Sequence, residues 1–587
     1  MKVLLTTLNS KYIHSNLAIR YLAKYVEDII KVDIEEYTIN QNRDLIISEI
    51  HKMKLDLIGF STYIWNLDEI LKISQALKLI NPSLEILLGG PEVSYDGVDI
   101  MEKHPYIDYI IYGEGEESFR DLIKSKIIGE DHKKNLGLIY RENNEIIQNK
   151  AQTLIKDLNM IPTPYIDGEN LFKNRIVYYE SSRGCPFSCE FCLSSTIRGV
   201  RYFDLERVKK DLSLFIDWQV QQVKFVDRTF NANKKYALEI MKFIISKKPK
   251  NMNFHFEVTA HLIDDEMLDF LSKVEEGLIQ FEIGVQSTNE ETIEAIGRTT
   301  DFEKLKRVVK KLSSFKNIHQ HLDLMAGLPF EDIKSFEKSF NEVYELHPEK
   351  LQLGFLKLLK GSGLRFNAEK YGYKYINEPP YEILENNYID YDDIVKLKGI
   401  EDLVEKYYNE DYFKNTLKFI VKNYYKGAFN FYEDFLGYWE EKEYHMVSHG
   451  RNKLYFILKD FIIHKEYKDK EILVNLLSFD YLKNHRSSLP PGLNEKDLSV
   501  AQKNVHDILK DHEILNKYIP NYRDLPTKHI IKKVGIEKFN VDILGIIDKN
   551  YQAIDNSRET YILFNYREGQ IIRSYYYDIT ENIREMV

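Results

Sequence analysis

The sequence predicts an α/β fold in three parts: a doubly wound parallel sheet, a partial (β/α)6 barrel, and a helix-rich α+β region. Two observations carry this reading. Apolar runs of strand length alternate with amphipathic helical stretches up to about residue 368, the pattern of parallel sheets joined by crossover helices. After Asn377-Glu378-Pro379-Pro380 that alternation stops and charged, tyrosine-rich helical segments take over. A chain of 587 residues also exceeds what one hydrophobic core usually supports, so several domains are expected.

The first part, residues 1–135, holds strands at 2–6, 55–60, 84–88 and 106–112, with helices at 16–27 and 68–79. In such sheets the ligand crevice lies at the strands' carboxyl ends, here the loops 7–15, 61–66, 89–96 and 113–117. Residues 136–170 read as a hairpin (137–148, turning at Asn143-Asn144) and a linker marked by Pro162 and Pro164. Six strand–helix units follow within 171–368, their strands at 175–180, 223–226, 253–258, 279–285, 321–325 and 350–356. Barrel chemistry sits at the carboxyl ends of such strands. The last part, 369–587, reads as helices to about 535, broken at Pro490-Pro491-Gly492, then short strands at 539–546, 560–566 and 571–577.

With 43% hydrophobic and 29% charged residues the composition is that of an ordinary globular protein. A net charge of −11 argues against a broad basic surface for duplex nucleic acid, and Lys528, Lys532 and Lys533 read as a solvated face. The N-terminus turns polar too early for a signal peptide, and no apolar run approaches a membrane span. A cytoplasmic location without membrane association is therefore expected. His14 and Trp65 lie in crevice loops, where a ring could cap a cofactor or simply pack.

The chain has three cysteines, Cys185, Cys189 and Cys192, in a C-x3-C-x2-C loop directly after the first barrel strand. An odd number so close together is a poor disulfide framework. Three thiolates suit three irons of a [4Fe–4S] cube whose fourth iron stays open. Buried apolar cysteines are the bland alternative. A structural zinc would want a fourth protein ligand, for which His255 is a distant candidate.

With Phe281-Glu282-Ile283-Gly284-Val285-Gln286-Ser287, Ala295-Ile296-Gly297-Arg298 and Asp323-Leu324-Met325-Ala326-Gly327-Leu328-Pro329, this loop resembles the radical S-adenosylmethionine (SAM) superfamily. The N-terminal sheet resembles the Rossmann-like B12-binding domain that precedes many such barrels, and the C-terminal third resembles the DUF4080 domain. The resemblance implies a [4Fe–4S] cluster on the three cysteines and SAM chelating the open iron. It also implies a 5′-deoxyadenosyl radical that abstracts hydrogen from a small polar substrate, and a one-electron reductant such as flavodoxin or ferredoxin. It further implies SAM contacts from Phe191 (backbone to adenine), Asp227 or Thr229 (amine), Glu257 (ammonium or ribose), Gln286 and Ser287 (ribose), Arg298 (carboxylate) and Gly327 (adenine). Asp227-Arg228-Thr229 stands where the family often has Gly-Gly-Glu, which puts the amine contact in doubt. Lys357, after the sixth strand, could reach substrate or SAM but reads more readily as a solvated lysine.

Cobalamin stays open, because 10–15 (Ser10-Lys11-Tyr12-Ile13-His14-Ser15) fails the Asp-x-His-x-x-Gly signature that some radical SAM proteins also lack. Methylthiotransferases, auxiliary-cluster enzymes and methyltransferases working through a methylated cysteine need further thiols, which all three cysteines being committed denies them. The leading expectation is radical C–N or C–C bond cleavage, such as a queuine lyase activity. Cobalamin-dependent radical SAM methylation and a non-catalytic iron–sulfur sensor are the alternatives.

Overall fold

The structure is a computed structural model and describes residues 1–586 except 130, 144, 167, 170, 487, 495–499, 501, 553–557 and 567–573. It divides into two compact units, Met1–Pro348 with Leu353–Ile394, and Glu349–Gln352 with Val395–Val587.

The first unit opens with a seven-stranded sheet: β1 (Val3–Asn9), β2 (Val32–Thr38), β3 (Leu57–Ser61), β4 (Glu85–Gly89), β5 (Tyr109–Ile111), β6 (Leu138–Glu142) and β7 (Glu145–Gln148). Their order is β2-β1-β3-β4-β5-β6-β7, parallel through β5, with the hairpin β6–β7 added antiparallel. Every residue of β1 is buried, as expected of a parallel strand covered on both faces. Separate apolar clusters fill the two faces, one around Ile58, Ile86 and Ile110, the other around Leu5, Leu57 and Phe119. Asn16 caps the helix Leu17–Tyr25 by accepting from the Ile19 amide, so that helix starts one residue later than periodicity implied. Strand β2 escaped the sequence reading because Val-Asp-Ile-Glu-Glu-Tyr-Thr is an edge strand with mostly half-exposed, charged positions. Asn144, at the expected turn, and Asp167 and Asn170 of the linker lie outside the described residues.

The barrel follows with β8 (Ile176–Tyr179), a ribbon of β9 (Ser182–Cys185) and β10 (Gly199–Tyr202), then β11 (Gln222–Phe225), β12 (Asn253–Glu257), β13 (Ile279–Gln286), β14 (His319–Ala326) and β15 (Lys350–Phe355). Six strands form one sheet in the order β8-β11-β12-β13-β14-β15, a partial (β/α)6 barrel. The β9–β10 ribbon was not foreseen; it is polar, short and glycine-bearing, without the apolar run that marks the others.

The second unit is helix-rich. Helices Lys414–Tyr424, Ala428–Glu441, Arg451–His464 and Lys470–Asn484 enclose Tyr432, Phe435, Trp439 and Tyr455. A three-stranded antiparallel sheet, Val534–Phe539, Thr560–Tyr566 and Ser574–Asp578, completes it. The expected strand at 539–546 is instead the end of one strand and the helix Ile543–Asp548, whose start is set by Asp542 accepting from the Gly545 amide. Of the expected strand at 571–577, residues 571–573 lie outside the described set. No described helix is long and apolar enough to cross a membrane.

Candidate active site

The three cysteines are carried by the β9–β10 ribbon and its loop. In the ribbon Cys185 pairs with Gly199 and Arg183 with Arg201. Gly184 has φ +99°, and a Cβ there would lie 2.0 Å from the Gly199 carbonyl oxygen, so only glycine lets the two strands close. The loop is gripped from two sides: the Glu190 amide donates to Ile296 O (2.9 Å) and Glu190 O accepts from the Leu364 amide (2.9 Å). Cys189 is buried. Burial pushes its thiol up, Arg298 opposes this, and Cys192 and Cys185 add to the rise.

The loop after β11 braces this ribbon from behind. Asp227 is fully buried, and its carboxylate accepts from the Ser181 amide (3.0 Å), Ser181 Oγ (2.7 Å) and Ser182 Oγ (2.5 Å). Thr229 Oγ1 stands 3.6 Å from Cys185 Sγ. On the other side Arg298 sends Nη1 toward Cys189 Sγ (3.8 Å), Nη2 to Gly284 O (2.5 Å) and Nε to Thr300 Oγ1 (3.0 Å).

A second grip comes from the N-terminal sheet. Arg183 ion-pairs with Glu180 (2.9 Å) and Glu116 (2.5 Å) and lies 3.8 Å from Glu114; its cross-strand neighbour Arg201 pairs with Glu114 at 2.5 Å. Lys360, after β15, pairs with Asp96 (2.7 Å) and Glu92 (3.2 Å), and Tyr95 OH meets Thr196 Oγ1 at 3.2 Å. Two carboxyl-end crevice loops of the sheet, 89–96 and 113–117, are thus bound directly to the barrel mouth. The exposed apolar side chains Tyr12, Ile13, Trp65 and Tyr95 sit on three of the four crevice loops, with Trp65 stacked on Tyr63 at 4.5 Å.

The barrel's inner face is polar in layers. Strand registers align Lys224, His255, Gln280 and His319 in one layer, Glu257, Glu282 and His321 in the next, and Gly284 with Asp323 nearest the mouth. The alternate residues, among them Val223, Phe225, Phe254, Phe256, Phe281, Ile283, Leu322 and Leu324, are buried on the opposite face. Burial raises Glu282, but His255 (2.8 Å) and Lys224 (3.1 Å) overrule it and hold its carboxyl at about 2.

Comparison with known families decides what this arrangement is. The radical SAM superfamily profile matches 179–343, the B12 binding domain profile 3–123, and the protein of unknown function (DUF4080) profile 369–564. The chain carries a radical SAM domain. Its relatives include the 2-(S-pantetheinyl)-carbapenam-3-carboxylate methyltransferase of Streptantibioticus cattleyicolor, 26% identical over 49% of this chain and 45% of that protein. Another is the cobalamin-dependent radical SAM methyltransferase TokK of Streptomyces tokunonensis, 26% identical over 56% of this chain and 50% of that protein. The chain therefore spans about half the length of these two relatives. The cobalamin-dependent S-adenosylmethionine radical enzyme OxsB, solved with aqua-cobalamin and SAM, shares the fold with a TM-score of 0.59 at 17% identity, over 82% of this chain and 78% of that one.

A radical SAM domain uses a [4Fe–4S] cluster and SAM, and the sheet before it is of the cobalamin-binding type. Three thiols in one braced loop fit the cluster, and an aromatic rim on the crevice loops fits a large flat cofactor. Phe191 is half-buried within the cysteine loop, and Gln286, at φ +70°, folds its amide over Gly284 at the mouth. Glu257 ends β12 facing the same space, without a side-chain hydrogen bond among the described residues.

Other expected contacts are differently employed. Asp227 spends its acceptors on Ser181 and Ser182, and the fork of Arg298 is committed to Gly284, Thr300 and the side of Cys189. Ser287 is buried and donates to Glu331 (2.6 Å), turned into the wall. The space that glycine leaves at Gly327 (φ +87°) is taken by Ile383, 2.0 Å from an added Cβ, rather than left for adenine. His255 belongs to the inner layers and engages Glu282, which removes it as a fourth partner of the cysteines. His14 bonds Tyr178 OH (2.7 Å), Trp65 Nε1 donates to Leu8 O (3.2 Å), and Lys357 bridges to Glu382 through the backbone.

The sequence reading missed Arg183, Arg201, Glu114 and Glu116 as a group, since nothing in their spacing links residues 67 and 87 positions apart. The polar layers did leave a signal: His255/Glu257, Gln280/Glu282 and His321/Asp323 recur at period two inside strands otherwise apolar. Asp227→Ala strands three buried donors at about 1–3 kcal/mol each. It is therefore expected to lower the melting temperature and the iron retained per chain, while the KM for SAM of the fraction still loaded stays within about threefold. Iron analysis and calorimetry on anaerobically reconstituted protein check this.

Proposed function

We propose that the chain is a cobalamin-dependent radical SAM methyltransferase acting on a small molecule. The observation that carries this reading is the pairing of Glu114 and Glu116, on a crevice loop of the B12-binding-type sheet, with Arg183 and Arg201 of the cysteine ribbon. Those loops would hold a corrin, and their ion pairs to the cysteine ribbon would couple its seat to that of the cluster, as a reaction shared by two cofactors requires. When bound, the cluster supplies the electron that cleaves SAM, and cobalamin supplies a carrier for the methyl group.

The residues of this chain have separable tasks under this reading. Cys185, Cys189 and Cys192 hold the cluster, and Asp227 with Thr229 and Arg298 fixes their loop. Phe191, Gln286 and Glu257 border the SAM position. Arg183 and Arg201 set the spacing of the two cofactor seats. The named relatives support methylation, whereas radical bond cleavage of the queuine lyase kind draws no support from them.

The test is anaerobic reconstitution with iron, sulfide and hydroxocobalamin, desalting, and incubation with methyl-labelled SAM, a flavodoxin reductant and candidate substrates. The expected result is close to one retained cobalt per chain and label in the product. Formation of 5′-deoxyadenosine with no cobalt and no transferred label would overturn methylation in favour of cleavage.

A further inference from the structure

The inner face of a (β/α) barrel is ordinarily filled by layers of branched apolar side chains. Here three successive layers are ionisable, and they are unevenly paired. Glu282 has Lys224 and His255. Gln280 Nε2 bridges the rings of His255 (3.3 Å) and His321 (3.2 Å), tying the floor together. Asp323 Oδ1 is fully buried and makes no hydrogen bond among the described residues. Glu257, one layer deeper and two strands away, likewise has no side-chain hydrogen bond among the described residues.

An unpartnered acceptor buried at a strand end costs about 1–3 kcal/mol, more for a charged group. Asp323 Oδ1 gains that energy back only when a donor enters the lumen, which the partly exposed Glu257 also faces. The position between them on β13 is Gly284, which contributes no side chain of its own. Above it lie the Gln286 amide and the Arg298 guanidinium, close to the cysteine loop. The electrostatics agree: burial pushes the Asp323 carboxyl well above the usual range, Glu282 and Glu257 add to it, and Lys224 and Arg298 oppose it only in part. Burial and Glu282 likewise raise Glu257. Three carboxyl groups therefore share the lumen with Lys224 and the His255 ring, with Arg228 and Arg298 opposing only in part, and a ligand bearing positive charge or several N–H donors is what completes it.

We propose that the barrel lumen is a subsite for a nitrogen base, in which an amine or amidine group of a small substrate donates to Asp323 and Glu257. This inference rests on the reading of the barrel mouth as the place where SAM and substrate meet, and it names the class of that substrate. Glu282, Lys224, His255, Gln280 and His321 form a fixed floor beneath the group. A carboxylate or phosphate in the same place meets three acids and is excluded, which sets the specificity by charge sign.

The experiment uses the full chain, anaerobically reconstituted with its cluster and saturated with SAM but without reductant, so that nothing turns over. Radiolabelled benzamidine is the probe and benzoate its charge-reversed counterpart, measured by equilibrium dialysis. Benzamidine is expected to bind and benzoate not. Asp323→Asn is expected to weaken benzamidine about tenfold or more while SAM affinity changes less than about threefold, and Glu257→Gln is expected to weaken benzamidine to a similar extent. Lys310→Gln, on the outer surface, serves as the unaffected control. The proposal is overturned if benzamidine does not bind, if benzoate binds equally, or if both variants keep benzamidine or lose SAM instead. Cluster absorbance reports that each variant is folded and loaded. Because no methyl transfer or cobalt enters the measurement, failure of the subsite and failure of the methyltransferase reading are separate outcomes.

Discussion

Cys189→Ala is expected to reduce SAM-dependent 5′-deoxyadenosine formation on the order of a thousandfold or more, equivalent to about 4 kcal/mol of lost barrier lowering. The reason lies in the ligand count. The chain has three cysteines, all in one loop, so no other thiol can take over an iron. Cys189 is the buried member of the three, nearest the Arg298 guanidinium. An alanine there leaves two thiolates and an iron with an extra open site, and a cluster so held is lost on desalting. Cys189→Ser separates geometry from chemistry: the hydroxyl keeps the volume but is a harder, weaker ligand at neutral pH. It is expected to retain part of the iron and little of the activity. Iron and sulfide analysis, the visible absorbance of the cluster, and chromatographic quantitation of 5′-deoxyadenosine check both variants. Wild-type levels of 5′-deoxyadenosine in Cys189→Ala would remove the cluster from the reaction.

How far the sequence disclosed this site depends on the range of the interaction that builds each part. The cysteine spacing is local, and so are the strand-end motifs; both are legible because a loop or a strand of eight residues states its own pattern. The six barrel strands were each placed to within two residues at either end, since their apolar residues recur at strand spacing between polar or glycine-bearing loops. What local pattern could not supply is the destination of a polar side chain. Asp227 has the composition of a ligand contact, yet its acceptors are filled by Ser181 and Ser182, forty-six and forty-five positions earlier in the chain. Ser287 and Arg298 are similar cases, turned by Glu331 and Gly284 into the wall. Each is a tertiary pairing in which the partner, not the residue, decides the role. Strand β2 failed for a different reason: an edge strand has one solvated side, and its alternation is too weak to separate from a loop.

Arg183 shows what such long-range pairing does for stability, and its replacement carries the second large effect. The side chain is largely buried and lies among Glu180, Glu116 and Glu114, which are themselves largely buried. Arg183→Gln leaves Glu180 and Glu116 without their main cation, while Glu114 keeps Arg201, a change that in buried ion pairs costs about 3–5 kcal/mol. The loss falls on the strand that ends in Cys185, so both the melting temperature and the iron retained per chain are expected to drop. Arg183→Lys keeps the charge but loses the forked geometry, and is expected to recover only part of each. Wild-type stability near this clamp should also depend on pH. Burial pushes the Glu180 carboxyl up to about 7 even with Arg183 opposing it. A folded value above the unfolded one means that the folded state binds the proton more tightly. Its contribution is complete below the ordinary carboxylate range and is lost as pH rises through about 7. The melting temperature of wild type should therefore fall between pH 5 and 8, and Glu180→Gln should reduce that fall without removing the share of Glu331 and Asp480, whose carboxyls burial also raises, as followed by calorimetry under anaerobic conditions. A pH dependence unchanged in Glu180→Gln would remove Glu180 from it; a melting temperature unchanged in Arg183→Gln would mean that the ribbon holds its cysteines without the N-terminal sheet, and the coupling of the two cofactor seats would lose its physical basis.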